Sequence, residues 1–482
     1  MDLKNKLDLN GLLRLNGEVK KIFFYRICGT GMGAASCLLR EKGYEVEGAD
    51  LNFYPPMSTY LENTQIPLHK IDELNWDDLK EFDLIVVGNV VPRMGEDARK
   101  IESLGVPFCS FPALMGAFIL NDRNVVGVAG THGKTTTTYF LTQIFENLGH
   151  KPGYFIGGVL DGRPSSQLGD GRYFFIESDE YDSAYFEKIS KFRSYCLNHM
   201  ILTSLEFDHA DIFNSIDDIK DEFREVLKDL KGHIIANVDY NAVEDLKLEF
   251  DQCRWVPYGL RSDYGPRVKE ESVKGTVFEV KYKKDWLSFK TNVVGSHNIL
   301  NLTTCILFAL EEGFSKDEVD KAIAELSFVK RRQELRGIYK NSIVIDDFAH
   351  HPRSVKCTID SIKTKFPDKF ITVVLEPNSA TARSNIFQEE FSDSLLRADH
   401  VLFAKPERAT TVKSADNLDF DQLVGELSQS KIPAEIYSDL SSLQARIDEM
   451  ANENNLFLIL SNGTCLGLWK SEFASELKPI NI

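Results

Sequence analysis

No two of the eight cysteines, at positions 28, 37, 109, 196, 253, 305, 357 and 465, form a C-x-x-C pair. That spacing supplies neither a zinc site nor a disulfide framework, and a reducing cytoplasm is the expected location. Basic charge is also short: 56 Lys and Arg face 73 Asp and Glu, for a formal charge of −17. Proteins whose main partner is nucleic acid or an anionic membrane usually carry basic patches, so neither is expected, and an anionic ligand must find a local basic site. No apolar run is long enough to span a bilayer, and residues 1–20 lack the continuous apolar stretch of a signal peptide. Internal repeats, low-complexity tracts and coiled-coil heptads are missing as well. With 482 residues, 43% of them hydrophobic, the chain can bury several cores, and its length suggests roughly three domains.

The pattern is α/β throughout. From Ile22 the chain reads strand (IFFYRI), glycine loop (CGTGMG), helix (AASCLLREKG) and a second strand (YEVEGAD) ending at Asp50, a mononucleotide-binding βαβ start. Gly29, Gly31 and Gly33 bracket Thr30 and Met32 in a G-x-G-x-G arrangement that falls short of the full dinucleotide fingerprint. Another strand is expected at 83–89, and a helix with connector at 111–124. A second layer structure follows, with YFFIES, ILTSL and IIANV as short buried parallel strands and an amphipathic helix over 297–313. KRRQELRG at 330–337 reads as a connector to a third unit. There IVIDDF, ITVVLEP, HVLFAK and LFLILSNG alternate with helical segments and predict another open parallel sheet. The expected domains are 1–121, 122–332 and 333–482.

The most informative stretch is residues 125–138, VVGVAGTHGKTTTT. Gly130 and Gly133 can adopt backbone angles that let several N–H groups converge on phosphate oxygens, with Thr131 and His132 between them. Lys134 adds a point charge. A helix starting near Thr135 aims its positive end at the phosphates, and the Thr135 hydroxyl is placed for a phosphate-bound Mg²⁺. Val128 stands where the strict G-x-x-x-x-G-K-[ST] pattern has its first glycine. Four successive threonines, including Thr136, have no evident packing reason.

Further polar clusters follow strands, where α/β sheets place their chemistry. Glu177-Ser178-Asp179-Glu180-Tyr181-Asp182 puts four carboxylates in six residues; they repel unless solvated or neutralised by a cation, and Glu177 is best placed for Mg²⁺. Leu205-Glu206-Phe207-Asp208-His209-Ala210-Asp211 offers His209 as a metal ligand, a donor to a phosphoryl oxygen, or a helix-capping loop residue. Ser296-His297-Asn298 at a helix start provides a donor and acceptor pair for a purine edge, or simply a cap. Asp346-Asp347-Phe348-Ala349-His350-His351-Pro352 ends a strand of the third unit.

In order, GTHGKTTTT, ESDEYD, LEFDHADIF, GSHNILN, RRQELRG and DDFAHHP resemble the motif series of the Mur ligase family, ATP-dependent enzymes of bacterial cell-wall peptide synthesis. The resemblance covers roughly residues 22–470, and the family's shorter G-T-x-G-K-[TS] loop accounts for Val128. ICGTGMG, YPPMSTYLE at 54–62, SDEYDSAYFEKISKF at 178–192 and LEP at 375–377 are most similar to the branch that reattaches a recycled murein peptide. The resemblance implies three domains: a Rossmann-like N-terminal domain for the UDP-sugar, a central P-loop ATPase domain, and a Rossmann-like C-terminal domain that receives the peptide. It implies ATP and Mg²⁺ as cofactors. UDP-N-acetylmuramate and the murein tripeptide L-alanyl-γ-D-glutamyl-meso-diaminopimelate are the implied substrates, joined through an acyl phosphate.

By the same carry-over Lys134, Glu177 and His209 are the catalytic set. Lys134 meets the β and γ phosphates within the loop Gly130 to Thr136, Thr135 and Glu177 hold Mg²⁺, and His209 holds a second Mg²⁺. His297 and Asn298 take adenine, Arg331 or Arg332 approaches the phosphates, and Asp346 with His350 completes the nucleotide site from the C-terminal domain, which implies domain closure. Gly29, Thr30, Gly31, Met32, Gly33, Asp50 and Ser58 hold the UDP-sugar. Glu376-Pro377-Asn378-Ser379-Ala380-Thr381 departs from the Glu-Pro-Arg-Ser-Asn-Thr pattern expected of that branch. Residues 461–467 depart from a more glycine-rich counterpart. Lys220 lies near the position of the family's carbamylated lysine without matching it, and no carbamylation is assigned. The alternatives are the family's L-alanine-adding branch, a nucleotide-dependent binding or switch protein, and an oxidoreductase using the N-terminal glycine loop.

Overall fold

In the computed structural model the described residues are 2–479 without 16, 54–56, 211, 262, 273 and 413–414. The start of YPPMSTYLE and Asp211 of the histidine cluster therefore lie outside the described residues. By contacts the chain divides into two compact units: Met1–Glu206 with Ile216–Tyr264 and Thr304–Ala322, and Phe207–Ser215 with Gly265–Thr303 and Ile323–Ile482.

The first unit holds two sheets. Apolar side chains on both faces of the central strands demand cover on both sides, which is why these runs form parallel sheets flanked by helices. One sheet is five-stranded and parallel, in the spatial order Leu68–Lys70, Glu45–Asp50, Lys21–Tyr25, Leu84–Val87, Phe108–Ser110. The strand order reverses beside Lys21–Tyr25, and the glycine loop leaves from that strand's carboxyl end into the helix Thr30–Lys42. The other sheet has seven strands, in the order Arg254–Tyr258, His233–Asn237, His199–Leu202, Asn124–Ala129, Tyr173–Ser178, Gly153–Phe155, Ser166–Gln167. Only the last pairing is antiparallel. Asn124–Ala129, fully buried, delivers the chain to the helix Lys134–Asn147. The helix expected within 111–124 is present: Phe111–Met115, capped by Ser110, continues as a π-turn over Gly116–Leu120. Gly116 is required there, since a Cβ would lie 1.9 Å from the Ser194 carbonyl oxygen.

The second unit carries a six-stranded sheet in the order Glu334–Tyr339, Ser342–Asp347, Asn455–Ser461, Phe370–Glu376, His400–Ala404, Ala434–Tyr437. Two features differ from the sequence expectation. The tail of KRRQELRG is no connector: Glu334–Tyr339 pairs antiparallel with Ser342–Asp347. Lys340 and Asn341, both at positive φ (43° and 75°), form the two-residue hairpin turn whose twist suits paired strands, so the third sheet is mixed. The second feature is a three-stranded antiparallel meander, Arg267–Ser272, Gly275–Tyr282 and Asp285–Thr291, that the sequence reading passed over. Its central strand alternates buried Thr276, Phe278 and Val280 with more exposed neighbours.

Among the described residues no helix is long and apolar enough to cross a membrane. Phe145 is fully buried and its ring meets those of Tyr173, Phe175, Phe308 and Phe314 at centroid separations of 4.7–5.6 Å. Phe145→Ala is expected to cost about 3–5 kcal/mol and to lower the thermal midpoint of the first unit, read by calorimetry.

Candidate active site

The loop from Gly130 to Lys134 is built by close backbone packing. Gly130 sits at φ 129°, and a Cβ on it would come within 2.5 Å of Thr203 Oγ1 and 2.6 Å of the Ser204 carbonyl oxygen. Gly133 turns the chain into the helix at φ 83°. The strand expected over 201–205 ends at Leu202, which frees the next residues to brace the loop. Thr203 Oγ1 donates to the His132 carbonyl (2.5 Å), His132 N donates to Ser204 Oγ (2.8 Å), and Glu206 N donates to Thr131 Oγ1 (2.9 Å). His132 Nε2 also lies 3.3 Å from Glu206 Oε2. The threonine run has a packing role after all. Thr137 and Thr138 are fully buried, Thr136 nearly so, and Thr138 Oγ1 donates to the Lys134 carbonyl at 2.9 Å.

Lys134 folds back over its own loop, donating to the Gly130 carbonyl (2.6 Å) and to Glu180 (3.3 Å). Burial is the largest influence on its ammonium and pushes the pKa down, but Glu180, Asp179 and Glu177 together outweigh it and hold the pKa above 10.5. The acidic run is no solvated loop. Glu180 is buried against Lys134, Asp179 pairs with Lys191 (2.9 Å), and Asp182 pairs with Lys188 (2.6 Å). Glu177 instead accepts from the Thr135 hydroxyl (3.2 Å) and from Gly157 N (2.7 Å). Four carboxylates against these three lysines leave a negative surplus where Thr135 meets Glu177, which suits a divalent cation with oxygen ligands. The sequence reading missed the pairings with Lys188 and Lys191, which come from the hairpin Asp182–Ser190 and its continuation.

In the N-terminal sheet, Asp50 accepts from Cys28 N and Leu51 N, both at 2.8 Å, and so fixes the entry to the glycine loop. Gly29 caps the helix and Thr30 is exposed at its first turn, whereas Met32, Gly33 and Ser58 are buried. A Cβ on Gly33 would meet Met57 Sδ at 2.2 Å, and one on Gly31 would meet Phe111 at 3.1 Å, so both glycines serve helix packing.

His209 belongs to the second unit, at φ 56°, with its amide donating to Asp208 Oδ1 at 2.7 Å. Burial is the largest influence on Asp208 and raises its pKa, yet His209, His351 and His350 hold the carboxyl below its ordinary range. His297 Nε2 lies 3.1 Å from Gln333 Nε2. Burial lowers the imidazole to a pKa of about 4, so the ring is neutral, accepts from the Gln333 amide and carries its proton on Nδ1. Nδ1 is buried with no hydrogen-bond partner among the described residues. Asn298 donates to the Val294 carbonyl at 3.0 Å. His350 Nδ1 lies 3.0 Å from the Phe348 carbonyl, and Arg332 lies over the Phe348 ring at 5.0 Å. Asp346 was expected at the nucleotide; the fold buries it completely between Arg331 Nε (3.3 Å) and Arg336 Nη1 (3.5 Å).

Family comparisons match all three segments. The "Mur ligase family, catalytic domain" matches residues 21–123, the "Mur ligase middle domain" 128–309 and the "Mur ligase, glutamate ligase domain" 331–463. UDP-N-acetylmuramate–L-alanyl-gamma-D-glutamyl-meso-2,6-diaminoheptandioate ligase of Escherichia coli (strain K12) is 34% identical, over 92% of this chain and 95% of that protein.

The chain belongs to the Mur ligase family. It is accordingly an ATP-dependent ligase that forms a carbon–nitrogen bond. UDP-N-acetylmuramate–L-alanine ligase of Lactiplantibacillus plantarum is a more distant Mur ligase, 30% identical over 82% of this chain and 86% of that protein. Among solved Mur ligases, the murein peptide ligase of Psychrobacter arcticus 273-4 superposes with a TM-score of 0.67 at 29% identity, over 96% of this chain and all of that one. UDP-N-acetylmuramate-alanine ligase from Thermotoga maritima shares the fold at 21% identity and a TM-score of 0.74, over 94% of this chain and 98% of that one.

The Lys220 ammonium is buried against Asp217 (2.7 Å) and Asp245 (3.1 Å), which raise its pKa above 10.5. The neutral amine that carbon dioxide attacks is then below about 1% at pH 8. With ¹³C-bicarbonate, NMR should show no carbamate on Lys220. For Asp346, burial, opposed by Arg331 and Arg336, pushes the carboxyl up to about 7 from 3.8. The folded protein therefore binds more protons than the unfolded chain between these values, and this carboxyl's contribution to stability falls as pH rises through that window. Asp346→Asn should flatten that slope in urea melts run from pH 4 to 7.

Proposed function

We propose that the chain joins the carboxylate of UDP-N-acetylmuramate to the amine of L-alanyl-γ-D-glutamyl-meso-diaminopimelate, acting in the cytoplasm to recycle murein peptide. The observation that carries this reading is the braced loop Gly130 to Thr135 with Lys134 among carboxylates, in a chain similar over nine-tenths of its length to ligases named for those two substrates. A carboxylate is a poor electrophile, so the sugar acid must first be activated; its attack on the γ-phosphate of ATP gives an acyl phosphate that the peptide amine displaces. Two anions meet in that first step, and Lys134 lowers their repulsion at the β and γ phosphates.

Thr135 and Glu177 would hold Mg²⁺, and their oxygens and the surplus negative charge around them fit such a cation. Bound there, Mg²⁺ neutralises phosphate charge. His209 is assigned to a second cation and Arg332 to the phosphates. His297 and Asn298 are assigned to adenine, for which the spare Nδ1–H of His297 is a suitable donor. Within the proposed division 1–121, 122–332 and 333–482, the first segment takes the UDP-sugar, with Thr30 and the amides of the helix start facing its diphosphate and Asp50 fixing that loop. The last segment takes the peptide.

Lys134→Ala is expected to lower ADP formation by more than 100-fold while leaving UDP-N-acetylmuramate affinity within two-fold, read by a coupled assay and calorimetry. Ligated UDP-sugar should appear by mass spectrometry with the tripeptide. Turnover with L-alanine alone would assign the chain to the L-alanine-adding branch instead.

A further inference from the structure

Arg331 was a candidate for the phosphates, yet its guanidinium is already committed elsewhere. Nη2 donates to the carbonyls of Ser461 (2.5 Å) and Gly463 (3.2 Å), while Nε faces the buried Asp346 at 3.3 Å. Its backbone stands at φ 58°, a left-handed conformation that a Cβ opposes. Two hydrogen bonds hold it there: Arg331 N donates to Glu334 Oε2, and Phe348 N donates to the Arg331 carbonyl, both at 2.8 Å.

The segment that Arg331 grips follows the strand Asn455–Ser461 and is gripped from its other side by Glu376, at the end of the neighbouring parallel strand Phe370–Glu376. Glu376, 4% exposed, accepts from Ser461 Oγ (2.5 Å), Cys465 N (2.9 Å) and Leu466 N (3.2 Å). Those last two amides can point at one carboxylate because Cys465 and Leu466 both adopt left-handed backbone, at φ 51° and 52°. Asn378 N donates to Asn462 Oδ1 at 3.1 Å, and a Cβ on Gly463 would fall 2.2 Å from Asn378 Nδ2. Carbonyls of the loop are thus held by a cation and its amides by an anion, at the carboxyl ends of adjacent parallel strands, where open α/β sheets bind ligands.

We propose that Arg331 is a positioning residue for the incoming amine substrate: with Glu376 it fixes the loop Asn462–Leu466 that receives the peptide. This rests on the reading of the C-terminal segment as the peptide's site. A guanidinium suits the task because its planar fork reaches two carbonyls and a carboxylate at once, which a lysine ammonium on a thinner stem does not reproduce.

The test uses the full-length protein with Arg331→Lys, which keeps the charge over Asp346, and Glu376→Gln, which sets amide donors against the loop's own N–H groups. Both variants should raise KM for the tripeptide at least ten-fold, with KM for ATP and for UDP-N-acetylmuramate within two-fold of wild type. The double variant should be less than multiplicative, since both residues hold one loop. Hydrogen exchange at residues 463–466 should quicken in both variants, and ADP affinity by calorimetry should not change; neither readout needs turnover. Weakened ADP binding or a raised KM for ATP in Arg331→Lys would return Arg331 to the phosphates, and unaltered exchange at 463–466 would also overturn the proposal. If wild type uses L-alanine and not the tripeptide, the proposed substrate fails, whereas the same KM comparison with L-alanine still decides the role of Arg331.

Discussion

A lysine charge enclosed by carboxylates is the constraint on which the first unit depends. Lys134 cannot be buried without Glu180, and Glu180, Asp179 and Asp182 cannot crowd together without Lys134, Lys191 and Lys188. Because Lys188 and Lys191 come from the hairpin after the strand Tyr173–Ser178, the phosphate loop and that hairpin are electrostatically one object. The Gly130 carbonyl and Glu180 occupy two of the ammonium's three donors. Phosphate oxygens at this loop would give the ammonium a charged acceptor in place of the neutral Gly130 carbonyl, and the carboxylate beside Thr135 would then meet like charge unless a cation joined it.

The parallel sheets were legible in the sequence because strands covered on both faces read as uninterrupted apolar runs: IFFY, LIVV, VVGVA and LFLIL all appear within a residue or two of where they were expected. What escaped were strands with one face in water. Arg267–Ser272 is almost wholly exposed, and RVKEES has no apolar signal at all. Glu334–Tyr339 hid inside a basic run because an edge strand can carry charge on its open side. Lys340-Asn341 is a weak turn signal beside Asn-Gly, although it does the same conformational work here.

At the candidate site the residue types were legible but their partners were not. Glycine spacing marked the turn from the strand Asn124–Ala129 into the helix Lys134–Asn147, because Gly130 and Gly133 take angles only glycine takes easily. His209, Arg331, Gln333, Cys465 and Leu466 also hold positive φ, and nothing in their side chains announces it. For three of them the strained amide is held by a neighbour distant in sequence: Asp347 accepts from Gln333 N, as Glu376 does from Cys465 N and Leu466 N. Motif reading assigns roles by residue type and order, so it gave Arg331 and Arg332 as interchangeable and could not see that Asp346 lies under the first of them.

The loop after the strand Asn455–Ser461 is poorer in glycine than the counterpart it departs from, and its composition explains the double clamp. A glycine-rich loop reaches left-handed angles without steric cost but gives up more chain entropy when it is fixed. Here only Gly463 and Gly467 flank Thr464, Cys465 and Leu466, and two of those three residues must be held in a conformation their Cβ atoms oppose. Free of contacts, such a segment would relax toward extended or right-handed backbone. A carboxylate that accepts both strained amides offsets the conformational cost, and a guanidinium on the preceding carbonyls prevents the segment from rotating as a body. Fewer glycines thus make the loop stiffer once clamped and more dependent on its clamps, which is why a change at Arg331 or Glu376 acts on the geometry of this loop before it acts on the stability of the sheet beneath.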